Sequence, residues 1–179
     1  PGTPFIYYGE EVGQAGLPGL KGDLPIRGPM SWDTRPHAGF TKGTPFRAAA
    51  PNAASHNVLA QSAGTRSILR HYRDMLALRN AHASIARGSW EHAFADGLVM
   101  GFQRALGPER TLVLINYGSA NREVTLPGLG PSTKAELLWA SEPRMAGRLN
   151  PHAPTPALQP RAHALPAQSV QVWRLGTAN

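Results

Sequence analysis

Glu10 and Glu11 are adjacent carboxylates that follow the apolar run Pro4-Phe5-Ile6-Tyr7-Tyr8-Gly9. Two carboxyl groups serve as acid, base or nucleophile when both flank one reacting bond. Neighbouring side chains on a strand leave on opposite faces, so this pair is badly placed to do so. Glu11 reads either as a ligand-binding carboxylate or as a hydrogen-bonding residue that ends the strand. Arg27 offers a planar fork suited to a carboxylate or to paired hydroxyls, or to an ion pair with Asp23 or Asp33. Trp32 presents a flat ring for stacking, or else packs its own loop. His37 and His56 lie in the same loop, as contacts or as bystanders. The seven histidines lack the spacing beside acids that a metal needs, so no metal or cofactor is expected. Cysteine is absent, which removes disulfides, thiolate zinc and thiol chemistry but leaves the compartment open.

The elements that must hold these residues follow from periodicity. Pro4–Gly9 is continuously apolar between Pro and Gly, the pattern of a strand buried on both faces of a parallel sheet. From Glu10 to about Gly64 the chain is irregular and punctuated by Gly-Pro signals, a length typical of functional loops. Ile68, Leu69, Tyr72, Met75, Leu76 and Arg79 then recur at helical spacing and predict a helix from Arg66 to Asn80, capped by Thr65 or Ser67. After Gly88 the period becomes two. Strands are expected at 89–94, 98–104, 111–117, 122–126, 135–139 and 169–175, with turns at 95–97, 107–109 and 118–121. Residues 141–168 read as loop. Short strands at this spacing argue for a small antiparallel sandwich. Trp90, Trp139 and Trp173 fall in it, as core residues or as a surface platform.

Composition sets the class. The chain has 179 residues, 41% apolar and 16% charged, with 19 glycines and 17 prolines: globular, but rich in loops. No apolar run approaches the roughly 20 residues of a membrane span, so a soluble chain without a membrane partner is expected. The formal charge is +7. Its densest basic group, Arg66, Arg70, Arg73 and Arg79, suits the solvated face of the expected helix better than a nucleic-acid surface. Residue 1 is proline with no signal-like segment after it, so the true amino terminus is expected upstream and the cellular location stays open.

At this point the motifs match a family. Gly2, Pro4, Tyr8 and Glu11 fit Gly-x-Pro-x-x-x-Tyr-x-x-Glu, the eighth barrel strand of the α-amylase superfamily of glycoside hydrolases. Ile26-Arg27-Gly28-Pro29-Met30-Ser31-Trp32-Asp33 resembles the Arg-Thr-Pro-Met-Gln-Trp segment after that strand, with Gly28 for Thr and Ser31 for Gln. Asn57–Gln61 and Ser67–Arg79 resemble the approach to the eighth helix. Ala167–Trp173 is similar to the last strand of the carboxy-terminal domain. The nearest branches look like α-glucosidases, oligo-1,6-glucosidases, trehalose synthases and some α-amylases.

The resemblance implies the last βα unit of a (β/α)8 TIM barrel in residues 1–87, followed by an antiparallel β-sandwich in 88–179. Active sites of such barrels lie at the carboxyl ends of the strands. Glu11, Arg27 and Trp32 are then the candidate substrate-binding residues, with the loop from Val12 to Gly64 as one wall of a sugar cleft. The family's catalytic acids come from earlier strands, so this chain carries none and alone is expected to be inactive. Calcium in some relatives is bound by upstream segments. The implied partners are an α-linked glucosaccharide and a complementary barrel fragment, or a second copy, covering residues 1–87. The rival readings are a non-catalytic carbohydrate-binding or interaction module and, last, a nucleic-acid binder.

Overall fold

The computed structural model describes residues 3–141 and 157–176. Cα packing divides the chain into two compact units between Ala77 and Leu78. That division lies ten residues before the boundary expected at 87/88, because the short helix near residue 85 packs on the strands that follow it.

The first unit is irregular. Three single-turn 3-10 segments, Glu10–Val12, Leu24–Ile26 and Pro36–Gly39, precede helix α1 (Val58–Ala63). Its small core joins Val12, Met30 and Leu69, with Val58 against them. The strand expected at Pro4–Gly9 is not formed. Phe5 is 92% exposed, and Ile6, Tyr7 and Tyr8 are also open to solvent. None of the described strands pairs with this segment. A parallel strand satisfies its amides and carbonyls only through neighbouring strands, and no described strand supplies that pairing here. Helix α2 (Ile68–Ala81) forms as its periodicity predicts. Of the two caps expected, Ser67 is used: its Oγ accepts the Arg70 N–H at 3.1 Å. Among its residues only Leu69 is buried, and Ile68 and Leu76 remain exposed.

The second unit takes in the last turn of α2 and helix α3 (Ala83–Arg87) and continues as β1 (Ser89–Asp96), β2 (Val99–Leu106), β3 (Glu109–Asn116), β4 (Arg122–Val124), β5 (Ala135–Ala140), β6 (His163–Leu165) and β7 (Ser169–Leu175). Five strands form an antiparallel sheet in the order β1-β2-β3-β7-β5, and β4 pairs with β6. Strand β2 alternates buried and half-buried residues, as a period of two requires. The two tight turns carry Gly97 and Gly107, so β1–β2 and β2–β3 are hairpins. Val99, Leu112, Leu114, Trp173 and Leu175 of the larger sheet share one core with Val124 and Leu165 of the smaller. The reading of 141–168 as loop fails at β6; residues 142–156 lie outside the described residues. His163 and Leu165 alternate inward around exposed Ala164, too short a pattern to register among the surrounding prolines.

Candidate functional site

The loop that carries the candidate residues is held by amide side chains in addition to its small core of Val12, Met30 and Val58. Gln14 accepts the Ser31 N–H at 2.9 Å and donates to the Pro29 carbonyl at 3.1 Å. Asn52 accepts from Ala15 N and donates to Gly13 O, both at 2.9 Å. Asn57 is fully buried; it donates to Ala53 O at 2.7 Å and caps α1 by accepting from Ala60 N at 2.8 Å. Each amide supplies a donor and an acceptor, so it can replace two backbone partners where the chain is not regular. Periodicity cannot register such residues. Only Asn57, directly before a helical run, carried a local sequence signal.

Glu10 and Glu11 are both tied to local backbone. The Tyr7 N–H donates to Glu10 Oε2 at 3.3 Å, and the Gly9 N–H donates to Glu11 Oε2 at 2.7 Å. Glu11 is half-buried, and its observed contact is the hydrogen-bonding one. Next to them the Tyr8 hydroxyl donates to Gly28 O at 2.9 Å. Partial desolvation of its hydroxyl, followed by the neighbouring Tyr7, raises the Tyr8 phenol above its usual range.

Arg27 forms an ion pair with Asp23, one of the two partners its sequence context offered. Its side chain stays 57% exposed, and its carbonyl accepts from Arg47 at 3.1 Å. Asp33 pairs instead with Arg35 at 2.6 Å. The Arg35 side-chain hydrogen bond, helped by its backbone N–H, holds the Asp33 carboxyl below the usual carboxylate range.

Trp32 is 49% exposed while its backbone is fixed on both sides: its N–H donates to Ala38 O at 2.9 Å, and its carbonyl accepts from Leu59 N at 2.9 Å. The turn that supplies Ala38 O is strained, with His37, Ala38 and Gly39 all at positive φ. A Cβ on Gly39 would stand 2.5 Å from Asp33 Oδ1, so glycine is required there for space as well as for φ. Left-handed non-glycine residues in series are costly and persist where the surroundings impose them, which is common at ligand sites. Phe40 and Phe46 stack edge to face nearby, both exposed. Among the described residues no hydrogen bond, ion pair or ring contact joins Glu11, Arg27 and Trp32 to one another. His56 hydrogen-bonds Ser55, and His37 sits exposed in the strained turn.

Residues 1–88 match the family described as "Alpha amylase, catalytic domain". This chain belongs to the α-amylase superfamily. Its curated relatives in that superfamily include a "Probable alpha-glucosidase" of Rhizobium meliloti, 32% identical over 73% of this chain and 27% of the relative. An oligo-1,6-glucosidase of Halalkalibacterium halodurans is 30% identical over 65% of this chain and 27% of its own length. A trehalose synthase/amylase of Mycolicibacterium smegmatis is 37% identical over 50% of this chain and 16% of its own. The chain thus spans between 16% and 33% of the length of these and similar curated relatives. Among solved structures, the trehalulose synthase of Pseudomonas mesoacidophila superposes with a TM-score of 0.76 at 22% identity, over 97% of this chain and 36% of that one. At that identity the likeness concerns the fold.

Other readings of the residues meet specific contacts. Arg70 pairs with Asp74 at 2.9 Å, and Arg79 donates to the carbonyls of Ile85 and Ala86, so the arginine stripe is not one free cationic face. Trp173 is fully buried, and Trp90 lies stacked on Phe102 at 3.9 Å. Among the described residues no group of three or more His, Asp or Glu side chains is placed to hold a metal, and no helix is long and apolar enough to cross a membrane.

Proposed function

We propose that this chain supplies one wall of the substrate cleft and the carboxy-terminal antiparallel domain of a retaining glycosidase or transglucosidase acting on α-glucosidic bonds. In this reading residues 1–87 are the last βα unit of a (β/α)8 barrel, and residues 88–179 close into a β-sandwich. The two catalytic carboxyls, about 5–5.5 Å apart in retaining enzymes, come from other barrel strands. The observation that carries the reading is the exposed apolar segment Phe5–Tyr8, which lies within the stretch that matches the catalytic domain. Its side chains and backbone need barrel neighbours. The exposed Ile68 and Leu76 of α2 call for the same covering.

Within the cleft, Trp32 offers its ring to a sugar face and Arg27 its remaining N–H groups to sugar hydroxyls. Glu11 holds the strand end from which the loop departs. No metal or cofactor takes part through this chain. The partner is the complementary part of the barrel.

The test is reconstitution. The 179-residue chain and a polypeptide carrying the other seven βα units are purified, mixed, weighed by native mass spectrometry and assayed on maltose and isomaltose. A one-to-one complex that turns over substrate, with neither part active alone, is the expected result. Turnover by this chain alone, or an active complex indifferent to both Trp32→Ala and Arg27→Ala, would sink the proposal.

A further inference from the structure

The antiparallel unit has an open cavity of about 500 Å³ at one end of its five-stranded sheet. Glu91 of β1, Gln103 of β2 and Arg110 of β3 line it, with the Gly107–Pro108 turn and residues of the 128–133 loop around them. The volume suits a ligand of one or two rings.

Strand β1 is bulged beside this cavity. Its pairing with β2 loses register between Glu91 and Phe94, and His92 inside the bulge has φ 47°. Bulges redirect side chains, and here the His92 ring lies against the loop at Gly128. A Cβ on Gly128, itself at φ 74°, would meet His92 Nδ1 at 2.8 Å, so only glycine admits the ring. The cavity is therefore built by two unusual backbone positions facing each other.

Its chemistry is polar and balanced. Arg110 Nη1 donates to Glu91 Oε2 at 2.7 Å, and the Ser89 hydroxyl donates to Glu91 Oε1 at 2.6 Å. Both members of the ion pair stay partly exposed, at 44% for Arg110 and 33% for Glu91. Gln103 is buried and donates to Pro127 O at 3.4 Å. An anion here must draw Arg110 from Glu91, and a cation must do the reverse. A neutral polyhydroxylated ligand can donate to the carboxylate and accept from the guanidinium while the pair stays intact. Leu129 and Leu175 add apolar surface for the C–H face of a ring.

We propose that this cavity is a binding site for an uncharged saccharide of one or two rings, separate from the loop that carries Trp32. The inference does not rest on the barrel reading, and its test involves no turnover. The full chain, labelled with 15N, is titrated with maltose and separately with inorganic phosphate. Maltose is expected to shift the amides of residues 91–92, 103, 110 and 128–133. Glu91→Gln and Arg110→Gln should each weaken binding by about tenfold or more, the scale expected when a site built to hydrogen-bond a hydroxyl loses a partner. Trp32→Ala should leave these shifts unchanged. The idea is overturned if maltose shifts none of these amides, if phosphate shifts them and maltose does not, or if both variants, folded by their spectra, bind within twofold of the native chain. The titration of the native chain decides the question even if a variant fails to fold.

Discussion

Asn57 shows how much one side chain holds in a loop with only a small core. Buried and bonded to Ala53 O, Ala54 O and Ala60 N, it pins the chain where α1 begins. Asn57→Ala removes the cap and strands two carbonyls, so a loss of about 2 kcal/mol is expected in urea unfolding. His163 makes a different prediction. Its Nδ1 accepts from Gln159 N at 3.3 Å and its Nε2 donates to Gln171 Oε1 at 2.7 Å, an oxygen that also accepts from Trp173. This pattern requires the neutral ring. Burial pushes its pKa below the ordinary 6.5, outweighing the opposing hydrogen bond to Gln171. The unfolded chain therefore binds a proton that the folded chain resists. Stability should be unaffected above pH 6.5, fall as the pH drops below it, and level off beneath the folded pKa. Urea midpoints measured across this range should lose that step in His163→Gln. At this scale the sequence offered Asp23 or Asp33 to Arg27, and geometry chose Asp23. The roles of Gln14, Asn52 and His163 were not legible, because each depends on partners brought near by the fold.

The strands were legible as elements because each half-buried strand writes its alternation locally. Strands β1, β2, β3, β5 and β7 lie where the period of two put them, within two residues at each end. Strand β4 is shorter than expected, ending at Val124, and β6 was missed. Helix α2 formed on its local periodicity, yet its apolar face is mostly uncovered, so pattern alone set the helix but not its packing. The junction of α3 with β1 depends on Gly88, where a Cβ would stand 2.7 Å from the Ala105 carbonyl oxygen. That clash is with backbone, which cannot move aside cheaply. Gly88→Ala is expected to lower the thermal midpoint by several degrees, the effect of about 1–3 kcal/mol on a domain of this size. In the sheet, Trp173→Ala opens a cavity in the shared core and should cost about 3–5 kcal/mol by the same measurement.

At the scale of the molecule the two units differ in what stabilises them. The second has one core fed by both its sheets, whereas the first joins three buried apolar residues and relies on polar pins. Hydrogen exchange should therefore show slow amides in β2, β3 and β7 and fast ones across residues 3–9. Adding the complementary barrel polypeptide should slow the amides of 3–9 selectively. Fast exchange in the complex would mean that this segment is not a buried barrel strand.

The sequence by itself determined the family, most of the strands and the long helix, because motif order and hydrophobic period are properties of neighbouring residues. It also marked Glu11, Arg27 and Trp32. Tertiary structure decided that Glu11 is bound to Gly9, that Arg27 pairs with Asp23, and that Trp32 stands open on a strained turn. It alone brought Glu91, Gln103 and Arg110 to one cavity. Pairing across strands fixes such neighbours, and no local pattern encodes which distant residue will stand opposite.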